Sequence, residues 1–276
     1  FMKNILIPTD LSDCTRSALK YAIRFATVSK TTLYFYHIST KSEKEILPSF
    51  KEYVGNVLSE KQVSPNEVTI EYIIEKGIFS NESIKKKIKK FSIDLVIMGA
   101  SLDSFRNTFF GSLVSDLINE VSCPVLSIPQ VPYKKFKIER IGFASELFDL
   151  KKRIKSIIPL AQLFQAEIDV FHVYPVFPEY VDIVKYKKEK ILEKIKQEFQ
   201  YEHISIHLIK TSFDNETIKG IKKYIDDRQP DMLVVSHKPR GLFDKLTLDS
   251  GITTALVNNS QIPILAFNKK ATKCLG

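Results

Sequence analysis

The clearest structural signal in the sequence is the segment Asp94-Leu95-Val96-Ile97-Met98-Gly99-Ala100-Ser101, which a polar loop and then Gly111-Ser112 follow. Its apolar run is short and ends at the glycine, the pattern of a strand buried on both faces of a parallel sheet. Apolar residues then recur with helical spacing from Leu113 onward, and Ser112 stands where an N-cap residue belongs. Strand, loop and helix N-terminus together indicate an anion site, because free backbone N–H groups and the helix dipole point at one spot.

The chain repeats itself with an offset of about 137 residues. The matching positions are Ile5 with Ile141, His37 with His172, Asp94 with Asp231, and Pro124 with Pro263. A period of this length is far beyond those of solenoid repeats, so it indicates a duplicated domain. We place the first domain at residues 1–130, a linker at 131–137 and the second domain at 138–276.

Each half alternates apolar strands with amphipathic helices, which predicts the α/β class. We expect two doubly wound, five-stranded parallel-sheet domains in tandem, each with a site where the strand order reverses. Asp10 and Gly99 both stand at strand ends of that kind. A proline at the start of the fifth strand of each half marks both strands as edges. The two halves should therefore pair through Val125–Ile128 and Ile264–Phe267 as an intramolecular pseudo-dimer.

Composition and charge argue against several classes of protein. The net charge is +9, but lysines such as those within Ile84–Phe91 fill the outer faces of amphipathic helices, which favours a solvated face and no nucleic-acid partner. No apolar run approaches the roughly 20 residues of a membrane span, so no membrane partner is expected. The three cysteines are too scattered for a disulfide framework, and the first residues do not read as a signal peptide. These features predict a cytoplasmic protein.

Candidate chemistry in the sequence is sparse. Asp10 could bind ribose or a magnesium ion, or it could be an acid favoured by the dipole of the helix that follows, and the sequence leaves both open. His203 and His207 fall in an alternating strand without a cysteine or carboxylate partner, so no metal site is predicted. We find no Walker lysine motif, no Gly-x-Ser-x-Gly and no nucleophile with a base, so the sequence does not predict an enzyme.

Taken in order, these motifs resemble the universal stress protein family, and the resemblance covers both halves. The motifs that carry it are Asn4–Asp10, His37-Ile38, Asp94–Gly99, Gly111-Ser112 and Cys123–Leu126. The resemblance implies a tandem member with Rossmann-like domains of the adenine nucleotide alpha hydrolase-like type. It also implies a stress-response regulator that binds an adenine nucleotide, ATP, with magnesium as an accompanying ion, in the first domain. The alternative is an interaction or dimerisation module of the same fold that binds no nucleotide.

The resemblance also assigns site residues in the first half. Asp10 would face the ribose or a metal, and the backbone at Ile38 would face the adenine. The phosphates would lie at Gly99, Gly111 and Ser112, with Pro8, Thr9, Met98 and Leu113 alongside. Two departures from the family pattern are visible: Leu102 replaces a second glycine, and the loop from Leu102 to Gly111 is one residue short.

The second half departs further from that pattern. Ala144-Ser145-Glu146 replaces Pro8-Thr9-Asp10, and Ser236 replaces Gly99. A backbone cradle for phosphate needs glycines for close approach, so we expect the second domain to be degenerate and structural. The sequence identifies no protein partner, and it leaves a homo-oligomer open.

Overall fold

The computed structural model describes residues 2–78, 80–100, 109–129, 137–145, 150–175, 181–211, 217–237, 256 and 260–268. The elements of the first half are β1 (Asn4–Pro8), α1 (Asp13–Ser29), β2 (Thr32–Ser39), α2 (Glu43–Glu60), β3 (Thr69–Lys76), α3 (Asn81–Lys90), β4 (Leu95–Ala100), α4 (Phe109–Glu120) and β5 (Val125–Pro129). Those of the second half are β6 (Arg140–Ala144), α5 (Leu150–Ile154), α6 (Ile158–Phe164), β7 (Glu167–Pro175), α7 (Val181–Phe199), β8 (Ile204–Thr211), α8 (Thr217–Arg228), β9 (Met232–His237) and β10 (Ile264–Asn268). The alternation confirms the α/β class.

One ten-stranded sheet runs through both halves in the order β3-β2-β1-β4-β5-β10-β9-β6-β7-β8. Neighbouring strands within each half are parallel. Each half is therefore a doubly wound sheet of five strands, in which the strand order reverses at β1 and at β6. In sheets of this kind ligands bind beyond the carboxyl ends of the strands at the reversal point.

The halves meet through β5 and β10, which pair antiparallel with Leu126 opposite Leu265. This pairing confirms the predicted pseudo-dimer contact. Each fifth strand would otherwise leave a row of unpaired backbone groups at an edge of its sheet. A second contact between the halves joins helices α1 and α6, where the rings of Phe25 and Phe164 meet edge to face with centroids 4.9 Å apart.

The duplication is visible in matching hydrogen bonds at the amino edge of each half. The aspartate before β4 and the aspartate before β9 each use Oδ2 to accept two consecutive backbone N–H groups at the start of β1 or β6. The donors are Lys3 and Asn4 for Asp94, at 2.7 and 3.1 Å, and Glu139 and Arg140 for Asp231, at 2.8 and 2.9 Å. The repeated aspartates therefore fix the central strands of each half to one another.

Two boundaries predicted from the sequence are wrong. Strand β4 does not end at Gly99 but continues to Ala100, because Gly99 pairs with Ile128 in the ladder to β5. Helix α4 already includes Phe109, so Ser112 lies within the helix and is not its N-cap. A glycine inside a helix costs only about 1 kcal/mol, so Gly111 does not delay the start of α4.

The prediction that the lysines of α3 all face solvent fails at Lys87, which is only 7% exposed. Its ammonium group forms an ion pair with Glu75 of β3 and lies 5.5 Å from the centre of the Tyr36 ring. Lys87 shares the inner stripe of the helix with Ile84 and Ile88. The charge is tolerated there because a carboxylate and an aromatic face both stabilise it.

None of the helices in the described part of the chain is long and apolar enough to cross a membrane.

Candidate functional site

The predicted site residues of the first half converge on one edge of the sheet. Strand β1 pairs with β2 on one side and with β4 on the other, all parallel, so their carboxyl ends meet. This topology brings Asp10, Ile38 and Gly99 to the same edge. Residues 111–113 lie in the first turns of α4, which follows β4 in the chain. Leu102 and the rest of the loop 101–108 lie outside the described residues.

The chain turns sharply away from the sheet directly after β1. The N–H of Thr9 makes the last ladder bond to β2, to the carbonyl oxygen of Tyr36 at 2.8 Å. Leu11 then adopts a left-handed conformation with φ of 63°, and its N–H is accepted by the Thr9 hydroxyl at 3.0 Å. A non-glycine residue with positive φ is uncommon, so this turn is a defined feature of the strand end.

The turn leaves backbone groups of Ile38 beyond the end of β1. In a parallel strand the N–H and C=O of successive residues point alternately to the two neighbouring strands. Tyr36 bonds to β1, and Ser39 bonds on the other side, where its carbonyl accepts the N–H of Gly77 at 3.2 Å. The N–H and C=O of Ile38 therefore point to the β1 side, and no described backbone group of the β1 turn is bonded to them.

His37 bonds to the carbonyl oxygen of Thr9, which would accept the N–H of Ile38 if β1 were longer. Its Nδ1 donates to the carbonyl oxygen of Thr9 at 2.8 Å, and the residue is 8% exposed. His172 repeats the arrangement in the second half, with Nδ1 3.2 Å from the carbonyl oxygen of Ser145. The two histidines therefore make the same structural contact in both halves.

Asp10 is exposed, and only one of its carboxylate oxygens is engaged within the described residues. Oδ1 accepts the N–H of Ser12 at 3.0 Å and contacts the Thr15 hydroxyl at 3.3 Å. The bond to Ser12 supports the interpretation of Asp10 as an acid at a helix entry, and the unengaged Oδ2 leaves the ligand interpretation open. Magnesium is commonly held by one or two carboxylates together with substrate phosphates, so a single aspartate suits the ion of a nucleotide complex. The described residues contain no cluster of three or more metal-binding side chains.

The other described residues of the predicted site are buried, so they can offer a ligand mainly backbone atoms. Pro8 is buried, and Met98 and Thr9 are 0% and 2% exposed. Gly99 is buried in the β4 ladder. The side chains of Ser112 and Leu113 are not described, so the phosphate contacts assigned to them stay predictions. The equivalent loops of the second half, with Glu146 and residues 238–251, lie outside the described residues. The degeneracy expected of the second domain therefore stays a prediction.

Thr15 and Tyr53 belong to the site, and sequence reasoning missed both. Thr15 of α1 is fully buried, and its hydroxyl lies 2.9 Å from the Thr9 hydroxyl and 3.3 Å from that of Tyr53. The Tyr53 hydroxyl of α2 donates to the carbonyl oxygen of Ser12 at 2.8 Å. Burial raises the pKa of Tyr53, so its hydroxyl keeps its proton at neutral pH. A tyrosine 38 residues away from Thr15 has no signal in the sequence that would join the two.

A second polar cluster surrounds Asp169 on β7, which is 2% exposed. Ser205 donates to its Oδ1 at 2.6 Å, and Arg228 pairs with its Oδ2 at 3.1 Å. His207 approaches Oδ1 at 3.4 Å. Although the cluster contains serine, histidine and aspartate, Ser205 bonds directly to the carboxylate, so the three are not in the order of a nucleophile, a base and its orienting acid. We interpret the cluster as structural.

Comparisons with known proteins were made against families, curated sequences and solved structures. The model of the Universal stress protein family matches residues 2–129 and again residues 149–268. A search of curated proteins gave no match. The two matches to one family model agree with the duplication described above.

Solved structures resemble nearly the whole length of the chain. A universal stress protein from Archaeoglobus fulgidus is 14% identical, covers 96% of this chain and 98% of its own, and has a TM-score of 0.66. A functionally unknown protein from Pseudomonas aeruginosa is 13% identical, covers 99% of this chain and 95% of its own, and has a TM-score of 0.65. At these identities the two structures show that the tandem fold is shared.

Proposed function

This chain belongs to the universal stress protein family, and from that membership we propose that it is a stress-response regulator that binds an adenine nucleotide, ATP, in its first half. The nucleotide lies across the carboxyl ends of β1, β2 and β4. Asp10 faces the ribose or the accompanying magnesium ion. The backbone at Gly99 and at residues 111–113 faces the phosphates.

The observation that carries this proposal is the arrangement of the backbone N–H and C=O groups of Ile38. Its N–H and C=O lie beyond the end of β1, and the partners that a longer strand would supply are engaged by His37 and by the Thr9 hydroxyl. An adenine edge presents a ring nitrogen acceptor beside an amino donor, which matches one backbone N–H and one C=O. Ligand sites commonly place a few such backbone groups in this way to fix orientation.

The geometry favours binding without a chemical step. The hydroxyl that contacts the Asp10 carboxylate is that of Thr15, which is fully buried, and the carboxylate is tied to a helix entry. We therefore propose a protein that binds its nucleotide and signals through the bound state, with no turnover.

Mass spectrometry of the small molecules released from the purified, denatured protein tests this proposal. ATP or another adenine nucleotide should be released in an amount close to one per chain. The variant Gly111→Val should release none, because a β-branched side chain would fill the space in which phosphate approaches the backbone. Gly55→Val is the matched control, since a Cβ atom at that helical glycine meets nothing within 4 Å.

One sequence feature favours the alternative function, an interaction module of the same fold. Leu102 replaces a glycine of the family's nucleotide loop, and an apolar side chain offers a phosphate no compensation for lost hydration. If neither the purified protein nor a titration with magnesium ATP shows any bound nucleotide, the interaction module is the better account.

A further inference from the structure

The hydroxyl cluster behind Asp10 has a definite order of donors. Each hydroxyl carries a single proton, whereas a carbonyl oxygen can accept two bonds. The carbonyl oxygen of Ser12 accepts the Tyr53 hydroxyl at 2.8 Å and the N–H of Arg16 at 3.2 Å. The N–H of Thr15 also bonds to this oxygen at 3.2 Å. The oxygen therefore has more donors than lone pairs even before the Thr15 hydroxyl, 2.9 Å away, is counted.

The proton of Thr15 therefore has reason to bond to an acceptor other than the carbonyl of Ser12. The Thr9 hydroxyl accepts the N–H of Leu11 and can place its own proton on the Thr15 oxygen, 2.9 Å away. Two further oxygens lie within reach of the Thr15 proton, that of Tyr53 and Oδ1 of Asp10, both at 3.3 Å. The charged carboxylate is the stronger acceptor of the two. As long as Tyr53 occupies the carbonyl of Ser12, the Thr15 proton is available to the carboxylate.

We propose that Thr15 is a positioning residue for Asp10. Tyr53 acts through Thr15, because it occupies the carbonyl of Ser12 and so leaves the Thr15 hydroxyl to donate its hydrogen bond to the Asp10 carboxylate. This inference rests on the proposed nucleotide site. With Oδ1 held by two donors, the exposed carboxylate keeps one orientation and presents Oδ2 to the ligand. Without the Thr15 hydroxyl, binding must first order this side chain, and ordering a side chain lowers affinity.

Within the described part of the second half, the helix that follows the first strand offers no counterpart of Thr15. Helix α5 occupies the place of α1 in the chain order, and its sequence Leu150–Ile154 contains no hydroxyl. The second half nevertheless keeps the same strand-end bonds: the N–H of Ser145 bonds to the carbonyl of Phe171 at 3.1 Å, and His172 contacts Ser145. The asymmetry associates the hydroxyl cluster with the site of the first half.

The test is calorimetric titration of the full chain with magnesium ATP. Thr15→Val should raise the Kd about fivefold or more, within the range expected for losing a hydrogen bond to a charged group, and Tyr53→Phe should raise it in the same direction. Thr15→Ser, which keeps the hydroxyl, should bind within about twofold of the wild type. The double variant Thr15→Val/Tyr53→Phe should be no weaker than Thr15→Val alone, because both changes remove the same bond to Asp10.

Thr31→Val is the matched control for these variants. Thr31 is 1% exposed, and its hydroxyl also donates to a backbone carbonyl, that of Met2 at 3.1 Å, but at the amino edge of the sheet. This variant should lose stability and keep the Kd of the wild type. Thermal melting of every variant separates folding from binding. If Thr15→Val does not fold, the comparison of Tyr53→Phe with Thr15→Ser and Thr31→Val decides the question.

The outcomes separate this inference from the proposed function. If the wild type binds no nucleotide, the proposed function fails and the positioning role fails with it. If the wild type binds, and the effects of Thr15→Val and Tyr53→Phe simply multiply, the two residues act independently and only the positioning role is overturned. A Kd that Thr31→Val raises as much as Thr15→Val also overturns it, since that result reports general destabilisation.

Discussion

The imidazole of His37 donates a hydrogen bond to the carbonyl oxygen of Thr9 across 2.8 Å. This bond closes the end of β1 against β2 with a side chain in place of a further ladder bond. It thereby occupies the acceptor that Ile38 would otherwise meet. The pair connects the fold to the site, because a strand that ended in ordinary ladder pairing would leave no backbone edge for a ligand.

The same contact in the second half gives a prediction for the pH dependence of stability. Burial lowers the pKa of His172 below its ordinary value, so the unfolded chain binds a proton more readily than the folded chain. The contribution of His172 is therefore fully present above the unfolded pKa of about 6.5 and is lost as the pH falls below it. Urea unfolding should give a smaller loss of unfolding free energy between pH 7 and pH 5 for His172→Asn than for the wild type. Equal losses would contradict this assignment.

The cluster around Asp169 predicts a large and specific loss of stability. Asp169→Asn removes a buried charge and its charge-assisted hydrogen bonds, but it leaves Arg228, whose side chain is 40% exposed, accessible to water. The unfolding free energy should therefore fall by about 1.5–3 kcal/mol. The exposed Glu167→Gln is the control, since Glu167 bonds to Arg140 at the surface and its loss should change stability by less than about 1 kcal/mol. Urea unfolding at pH 7 measures both. If both variants lower the unfolding free energy equally, the burial of Asp169 is not what makes its loss destabilising.

The cluster should also be sensitive to acid. Its cationic and hydroxyl partners hold the pKa of Asp169 well below its usual range although burial opposes them. A lowered carboxyl pKa contributes stability that is present above the unfolded pKa of about 3.9 and is lost as the pH falls below it. The unfolding free energy of the wild type should therefore drop more between pH 5 and pH 3 than that of Asp169→Asn.

The contact between β5 and β10 predicts the behaviour of the isolated first half. Residues 2–129 expressed alone would leave β5 as an edge strand whose natural partner is missing. Because the two halves share one topology, a second copy can pair through its own β5, so the fragment should be a dimer in analytical ultracentrifugation. A monomeric and stable fragment would contradict this account of the interface.

The sequence predicts the fold of this protein well, because the strands, the duplication and the paired edges all depend on patterns visible in the sequence. Apolar runs identify the strands, and the offset between Asp94 and Asp231 identifies the duplication. Proline placement identifies the two edges that pair. Contacts between distant residues are different, since no pattern joins Thr15 to Tyr53 or shows that Lys87 meets Glu75. The extension of β4 over Gly99 also depends on its partner strand, and local sequence does not contain that information.

The central claim is that one adenine nucleotide binds against the free backbone edge of Ile38. Ile38→Pro removes the N–H that faces away from β3 and leaves the ladder to β3 intact, and Val173→Pro makes the corresponding change after His172 in the second half. Calorimetric titration with magnesium ATP should give one site per chain for the wild type and for Val173→Pro, and at least a tenfold higher Kd for Ile38→Pro. Two sites per chain, or unchanged binding by a folded Ile38→Pro variant, would contradict the claim.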